Sequence, residues 1–159
     1  MGIKDRREEV IAIICQPYGI LLGKKKKKFG KGKYNGFGGG VEKGETLEEA
    51  VIRETFEEAG IIIKNPEKMG KILFTFDSDE KDHLVHFFKA TDYIGLIEES
   101  DEMIPEWFET KKIPYENMWD DDKYWLPLLL QGKKFEGNFH YNKDSKIVNY
   151  GLDEVPTLR

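Results

Sequence analysis

Cysteine is nearly absent from this chain. Cys15 stands alone, so no internal disulfide can form, and its apolar neighbours mark it as a buried thiol of a reducing compartment. No apolar run is long enough to span a bilayer, and residues 4–9 are all charged, so neither a membrane span nor a secretory leader is expected. Excess positive charge is missing too. With 25 basic and 30 acidic residues the net charge is −5, which argues against gripping a nucleic-acid polymer through a uniformly basic face. Internal repeats and Pro/Ser-rich linkers are lacking, and the 159 residues read as one domain, 1–159, expected to act as a cytoplasmic monomer. An acidic protein that handles polyanions must gather cations locally, through bound metal or a confined lysine patch.

What is present alternates strand and turn signals. Residues 8–15 end in a continuous apolar run of strand length, and residues 20–23 follow Pro17 and Gly19, which predicts a hairpin. A five-lysine run at 24–28 leads into a glycine-crowded segment, 30–40, unfit for a helix. Strands are predicted at 71–76 and 83–90, joined by the acidic turn 77–82, with a short one at 105–108. A helix is predicted over 119–130 and a closing hairpin over 135–141 and 146–150. The sum is an α+β domain, or a sheet sandwiched by helices.

The clearest helix is 46–59. Thr46 and Glu49 form a Thr-x-x-Glu capping box, and Gly60 stands where a left-handed stop belongs. At about 100° per residue, Leu47, Val51, Glu54 and Glu58 fall within roughly 40° of one line, with Glu57 about a quarter-turn aside. That line begins as core and ends as clustered carboxylates with no lysine among them. Such repulsion makes sense if a divalent cation sits between the acids. A charge run is more often a solvated face, but the surroundings here are specific. Gly39, Glu45 and the run Arg53-Glu54-Thr55-Phe56-Glu57-Glu58-Ala59-Gly60-Ile61 fit G-x5-E-x7-R-E-U-x-E-E-x-G-U, departing only where Thr55 replaces a bulky aliphatic residue.

The pattern resembles the Nudix box. The resemblance implies a Nudix fold, an α/β/α sandwich with a mixed central sheet, and Mg²⁺-dependent cleavage of a nucleoside diphosphate linkage, with Mn²⁺ as a substitute metal. By position it implies Glu54, Glu57 and Glu58 as metal ligands or water activators, Arg53 as their orienting partner through a bidentate pair, and Glu45 as a support for the loop. The segments 33–39, 99–103 and 118–125 extend the likeness to the animal-type oxidised purine nucleoside triphosphatases over almost the whole chain. That closer resemblance adds Gly38, through its carbonyl, to the metal set, and Glu102 as an extra metal ligand or catalytic base. It makes Phe29, Asn35, Phe74, Met103, Trp119, Asp121 and Asp122 the lining of a base pocket, and Lys25 a nucleotide contact.

Part of this pocket follows from chemistry alone. Trp119 offers a flat face on which a purine can stack. Asp121 and Asp122 are adjacent acids, so their titrations are coupled and one can stay protonated near neutrality, giving a donor and acceptors together. An isolated Asp triplet before a helix would more often be a cap; beside Trp119 it is read here as a pocket. The other lysines of 24–28 suit a solvated rim that steers polyphosphates, and His83, His86 and His140 are given no metal role. Val10, Tyr34 and Gly40 depart from the resembling family, which has threonine, tryptophan and lysine there, and Val10 is expected to remove a hydrogen bond from the pocket floor. The expected substrate is a small-molecule purine nucleoside triphosphate, with another nucleotide, such as an ordinary NTP or ADP-ribose, as the rival. A non-catalytic nucleotide-binding module is the remaining alternative, and an intact box speaks against it.

Overall fold

The computed structural model describes residues 5–78 and 81–159. From the N-terminus run β1 (Arg6–Gln16), β2 (Gly19–Lys25), β3 (Tyr34–Asn35), β4 (Phe37–Gly40) and α1 (Leu47–Ala59). Next come β5 (Ile62–Lys64), β6 (Glu67–Phe76), β7 (Asp82–Ala90), β8 (Asp92–Ile94) and β9 (Met103–Phe108). The chain closes with α2 (Asp122–Leu130), β10 (Lys134–Tyr141) and β11 (Ile147–Val155).

The main sheet has nine strands, ordered β11-β10-β6-β7-β1-β2-β3, with β4 also paired to β1 and β9 to β2. β1 runs parallel to β7 and β10 parallel to β6, while the other pairs are antiparallel, so the sheet is mixed. β5 and β8 form a separate two-stranded ribbon.

The apolar run of β1 is buried on both faces, and its alternation divides the core. Ile13 belongs with Phe87, Trp125, Leu126 and Leu129, on the α2 side. Val10, Ala12 and Ile14 belong with Phe37, Ala50 and Val51, on the α1 side. The two helices therefore cover opposite faces, which is the expected sandwich.

Each expected element exists, with shifted ends. β6 begins four residues earlier than the apolar signal, at Glu67, because β7 pairs with it from there, and β10 joins it from Gly70. α2 begins at Asp122, three residues later than expected, since Trp119 and Asp120 form a turn closed by Asp122 N–H to the Trp119 carbonyl at 3.1 Å. β11 extends to Val155 along β10. The acidic turn 77–82 lies partly outside the described residues.

Candidate active site

α1 is written by local rules. Thr46 Oγ1 accepts the Glu49 N–H at 3.0 Å and Glu49 Oε1 accepts the Thr46 N–H at 2.9 Å, completing the capping box. Gly60 closes the helix at φ 76°, a backbone that other residues adopt only under strain. Thr55, the odd residue of the motif, is buried, and its hydroxyl donates to the Val51 carbonyl at 2.7 Å, so no polar atom is stranded.

Arg53 organises the acids, though not as expected. Its bidentate fork goes to Glu45, Nε at 2.6 Å and Nη2 at 3.0 Å. Nη1 then reaches Glu54 at 2.9 Å and Glu57 at 3.3 Å, and Nη2 also donates to the Gly40 carbonyl at 3.1 Å. One guanidinium thus ties the loop before α1 to the acidic end of the helix. The planar fork suits this task and a lysine would not replace it.

The glutamates differ in environment. Glu58 is buried, accepts the Gly38 N–H at 2.9 Å, and has its pKa pushed up to about 8, by burial first and then by the charges of Glu54 and Glu102. Glu54 is raised as well, again chiefly by burial, with Arg53 opposing and Glu57 and Glu102 adding repulsion. Glu57 is exposed, and Arg53 is its partner. Glu102, contributed by the turn before β9, adds its negative charge beside Glu58. β4 lies so close that a Cβ on Gly39 would come within 2.7 Å of the Glu54 carboxyl carbon. Among the described residues, no group of three acidic, histidine or cysteine side chains stands ready-made as a metal cage, because Arg53 and the Gly38 N–H hold these carboxylates. The donor chemistry nonetheless fits a hard divalent cation. Crowded carboxylates that burial and mutual repulsion force toward protonation are relieved when such an ion shares them.

On the α2 side of the sheet a cavity of about 410 Å³ opens beside Trp119. Phe29, Asn35, Phe74, Trp119, Asp121 and Asp122 all line it. Trp119 is framed by Phe29, with ring centroids 5.0 Å apart, and by Lys33, whose Nζ lies 5.2 Å from the indole centroid. Asp121 occupies the N-cap position of α2 without capping it. Its Oδ2 accepts Trp125 Nε1–H at 2.8 Å, and its Oδ1 accepts the Tyr141 hydroxyl in a short hydrogen bond. Burial raises both acids. Trp125 and Tyr141 donate to Asp121 and favour its charge, so Asp122, raised furthest by burial and by the Asp121 charge beside it, is the member that keeps the proton.

Two sequence expectations, Met103 and Val10, are corrected. Met103 does not line the cavity; β9 pairs with β2 so that its side chain packs on the α1 side, against Phe37 and the open face of Gly23. Val10 is likewise on the α1 side, and its strand neighbours Glu9 and Ile11 are the ones that reach the cavity. Lys25 lies outside the lining, at the end of β2 opposite Met103. Tyr34 also turns away, donating to Glu106 at 3.2 Å.

Sequence reading missed Glu9, Phe76, His83, Trp125 and Tyr141 as cavity residues, and Lys33 as the cation over Trp119. Trp125 had a signal, four residues beyond Asp121 on one helix face. His83 had none.

Comparison with known proteins gives this geometry its family. The NUDIX domain model matches residues 5–129. This chain is a member of the Nudix family. Nudix proteins as a family use divalent metal ions, which agrees with the carboxylate set of α1. Two animal relatives named oxidized purine nucleoside triphosphate hydrolase align over 148 residues, covering 93% of this chain and 95% of theirs; the one from Danio rerio is 47% identical and the one from Mus musculus 44%. The crystal structure of a mutator MutT protein from Bacillus halodurans superposes with TM-score 0.83 at 30% identity, covering 92% of this Nudix chain and 97% of that one. Among the described residues no helix is long and apolar enough to cross a membrane.

Proposed function

We propose that this Nudix protein is a single-domain, monomeric, cytoplasmic enzyme that hydrolyses oxidised purine nucleoside triphosphates, such as 8-oxo-dGTP, to the monophosphate and pyrophosphate, with Mg²⁺ as its metal. The observation that carries the reading is the pairing of Trp119 with the buried acids Asp121 and Asp122 in one cavity, where burial favours a proton shared by the acid pair. A stacking face holds any purine, while a donor beside acceptors suits the altered N–H pattern of an oxidised one. The resemblance of the whole chain to the fish and mouse hydrolases supports the same substrate class.

The carboxylates of Glu54, Glu57, Glu58 and Glu102, with the Gly38 carbonyl, would hold the metal. When bound, it neutralises phosphate charge and makes water more acidic. Water then adds to phosphorus as the bridging P–O bond breaks; its proton passes to this carboxylate set, and the leaving oxygen departs with pyrophosphate. Arg53 keeps Glu54 and Glu57 aligned throughout. Lys25 would contact the nucleotide, and its lysine neighbours would steer the polyphosphate from the rim.

The test is nucleoside monophosphate formation from 8-oxo-dGTP, 8-oxo-dATP, dGTP, dATP and ADP-ribose, with Mg²⁺ and with chelator. Preference for the oxidised pair, lost on chelation and in Glu57→Gln, is expected. Equal cleavage of dGTP would end the sanitising assignment, and no turnover on any nucleotide would end the enzymatic one.

A further inference from the structure

Beyond the residues used above, one wall of the cavity carries a hydrogen-bonded polar pair. Glu9 and His83 both line it, and His83 Nδ1 lies 2.6 Å from Glu9 Oε1. Their side chains are only 24% and 21% exposed. The His83 ring stands edge-on to Phe76 at 5.4 Å, which limits its rotation. Arg7 Nε approaches the other carboxylate oxygen, Glu9 Oε2, at 3.6 Å. Arg7 itself lies over Gly40, where a Cβ would meet its Nη2 at 2.9 Å. The missing side chain at position 40 is therefore what leaves room for the guanidinium that braces Glu9. A carboxylate offers about four acceptor positions; His83 takes one on Oε1, and Arg7 braces Oε2 by charge alone.

The pair is also well placed relative to the acids already described. Asp121 is bonded to Tyr141 on β10, whereas Glu9 is on β1, and β6 and β7 lie between those strands. Three strand spacings separate the two by roughly 14 Å of backbone, which places acceptors at opposite ends of a cavity whose intervening wall is apolar. A flat base stacked on Trp119 spans that wall.

We propose that Glu9, held by His83 and Arg7, is a specificity residue that accepts a hydrogen bond from an exocyclic amino group of the purine, so that the base is read at both ends. A carboxylate without its own proton can only accept, and the exocyclic amino group is the purine substituent that only donates. This rests on the reading of the cavity as a base pocket.

The experiment is calorimetric titration of metal-free protein, in chelator, with monophosphates differing by one amino group: GMP against IMP, and AMP against purine riboside monophosphate. Wild type is expected to favour the amino-bearing member of at least one pair by about tenfold. Glu9→Leu should abolish that preference, and His83→Met should reduce it, without loss of affinity for the amino-free member. Melting curves of each variant verify folding. Glu9→Leu retaining the preference within about twofold would overturn the inference alone, as would equal weakening of both members of a pair. If wild type binds none of the four, the base-pocket reading falls and this inference falls with it.

Discussion

Trp119 allows the stacking contribution to be isolated, because its indole bonds to no group of the catalytic helix. Trp119→Ala should remove about 1–3 kcal/mol of base stacking, raising KM for 8-oxo-dGTP by roughly 5-fold to 150-fold while kcat changes much less. Steady-state kinetics decides it, and an unaltered KM would take Trp119 out of the pocket. Asp122 gives a pH signature. Its folded pKa is raised by burial and by Asp121, so its protonated form is the one the fold favours. The resulting stability is fully present below the unfolded carboxylate value, about 4, and is lost as pH rises through the raised folded value. Urea midpoints of wild type should therefore decline from about pH 5 toward about pH 9 more steeply than those of Asp122→Asn, which cannot ionise. Parallel profiles would show that Asp122 is not the proton holder.

Two elements set the catalytic carboxylates, and they fail differently. Thr46→Ala breaks the cap of α1 and should cost about 1 kcal/mol in urea denaturation, yet Glu54 to Glu58 lie in the later turns, so kcat should stay within about twofold. Gly39→Ala does the reverse. Its Cβ strikes the Glu54 carboxylate, a movable side-chain end, so kcat should drop by at least about tenfold with little change in melting temperature. A Gly39→Ala enzyme of normal kcat would mean that Glu54 needs no such fit. The same elements show what was legible beforehand. Helix 46–59 could be read because its cap, stop and acidic line are all local. Asp121 and Asp122 could be placed in a pocket because Trp119 is adjacent in sequence. Met103 and Val10 went to the wrong face because sheet pairing, not local alternation, decides which side a doubly buried strand shows to a site. Glu9 and His83 meet across 74 residues and left no joint trace in the sequence.

For the molecule entire, the proposed carboxylate site of α1 would make a divalent ion a folding ligand as well as a reagent. Melting temperature should rise by several degrees on adding Mg²⁺ to chelator-treated protein, and Glu58→Gln should erase most of the rise. Identical melting with and without the ion would contradict the carboxylate set. A sheet with two covering helices was predictable as a class, since apolar runs and helix signals already imply layers, whereas its mixed character came only with the family resemblance. The parallel pairing of β1 with β7 and of β6 with β10 was not, because only the assembled chain determines which distant strands meet.

β1 is where this architecture has its longest reach. Glu9 and Ile11 look into the cavity, while Val10, Ala12 and Ile14 seat the catalytic helix on the other side. Odd positions can therefore drift toward new bases while even positions keep the hydrolytic machinery in place. A family using such a strand can diversify its diet without rebuilding its engine. A single inserted residue before Val10 would exchange the two roles at once.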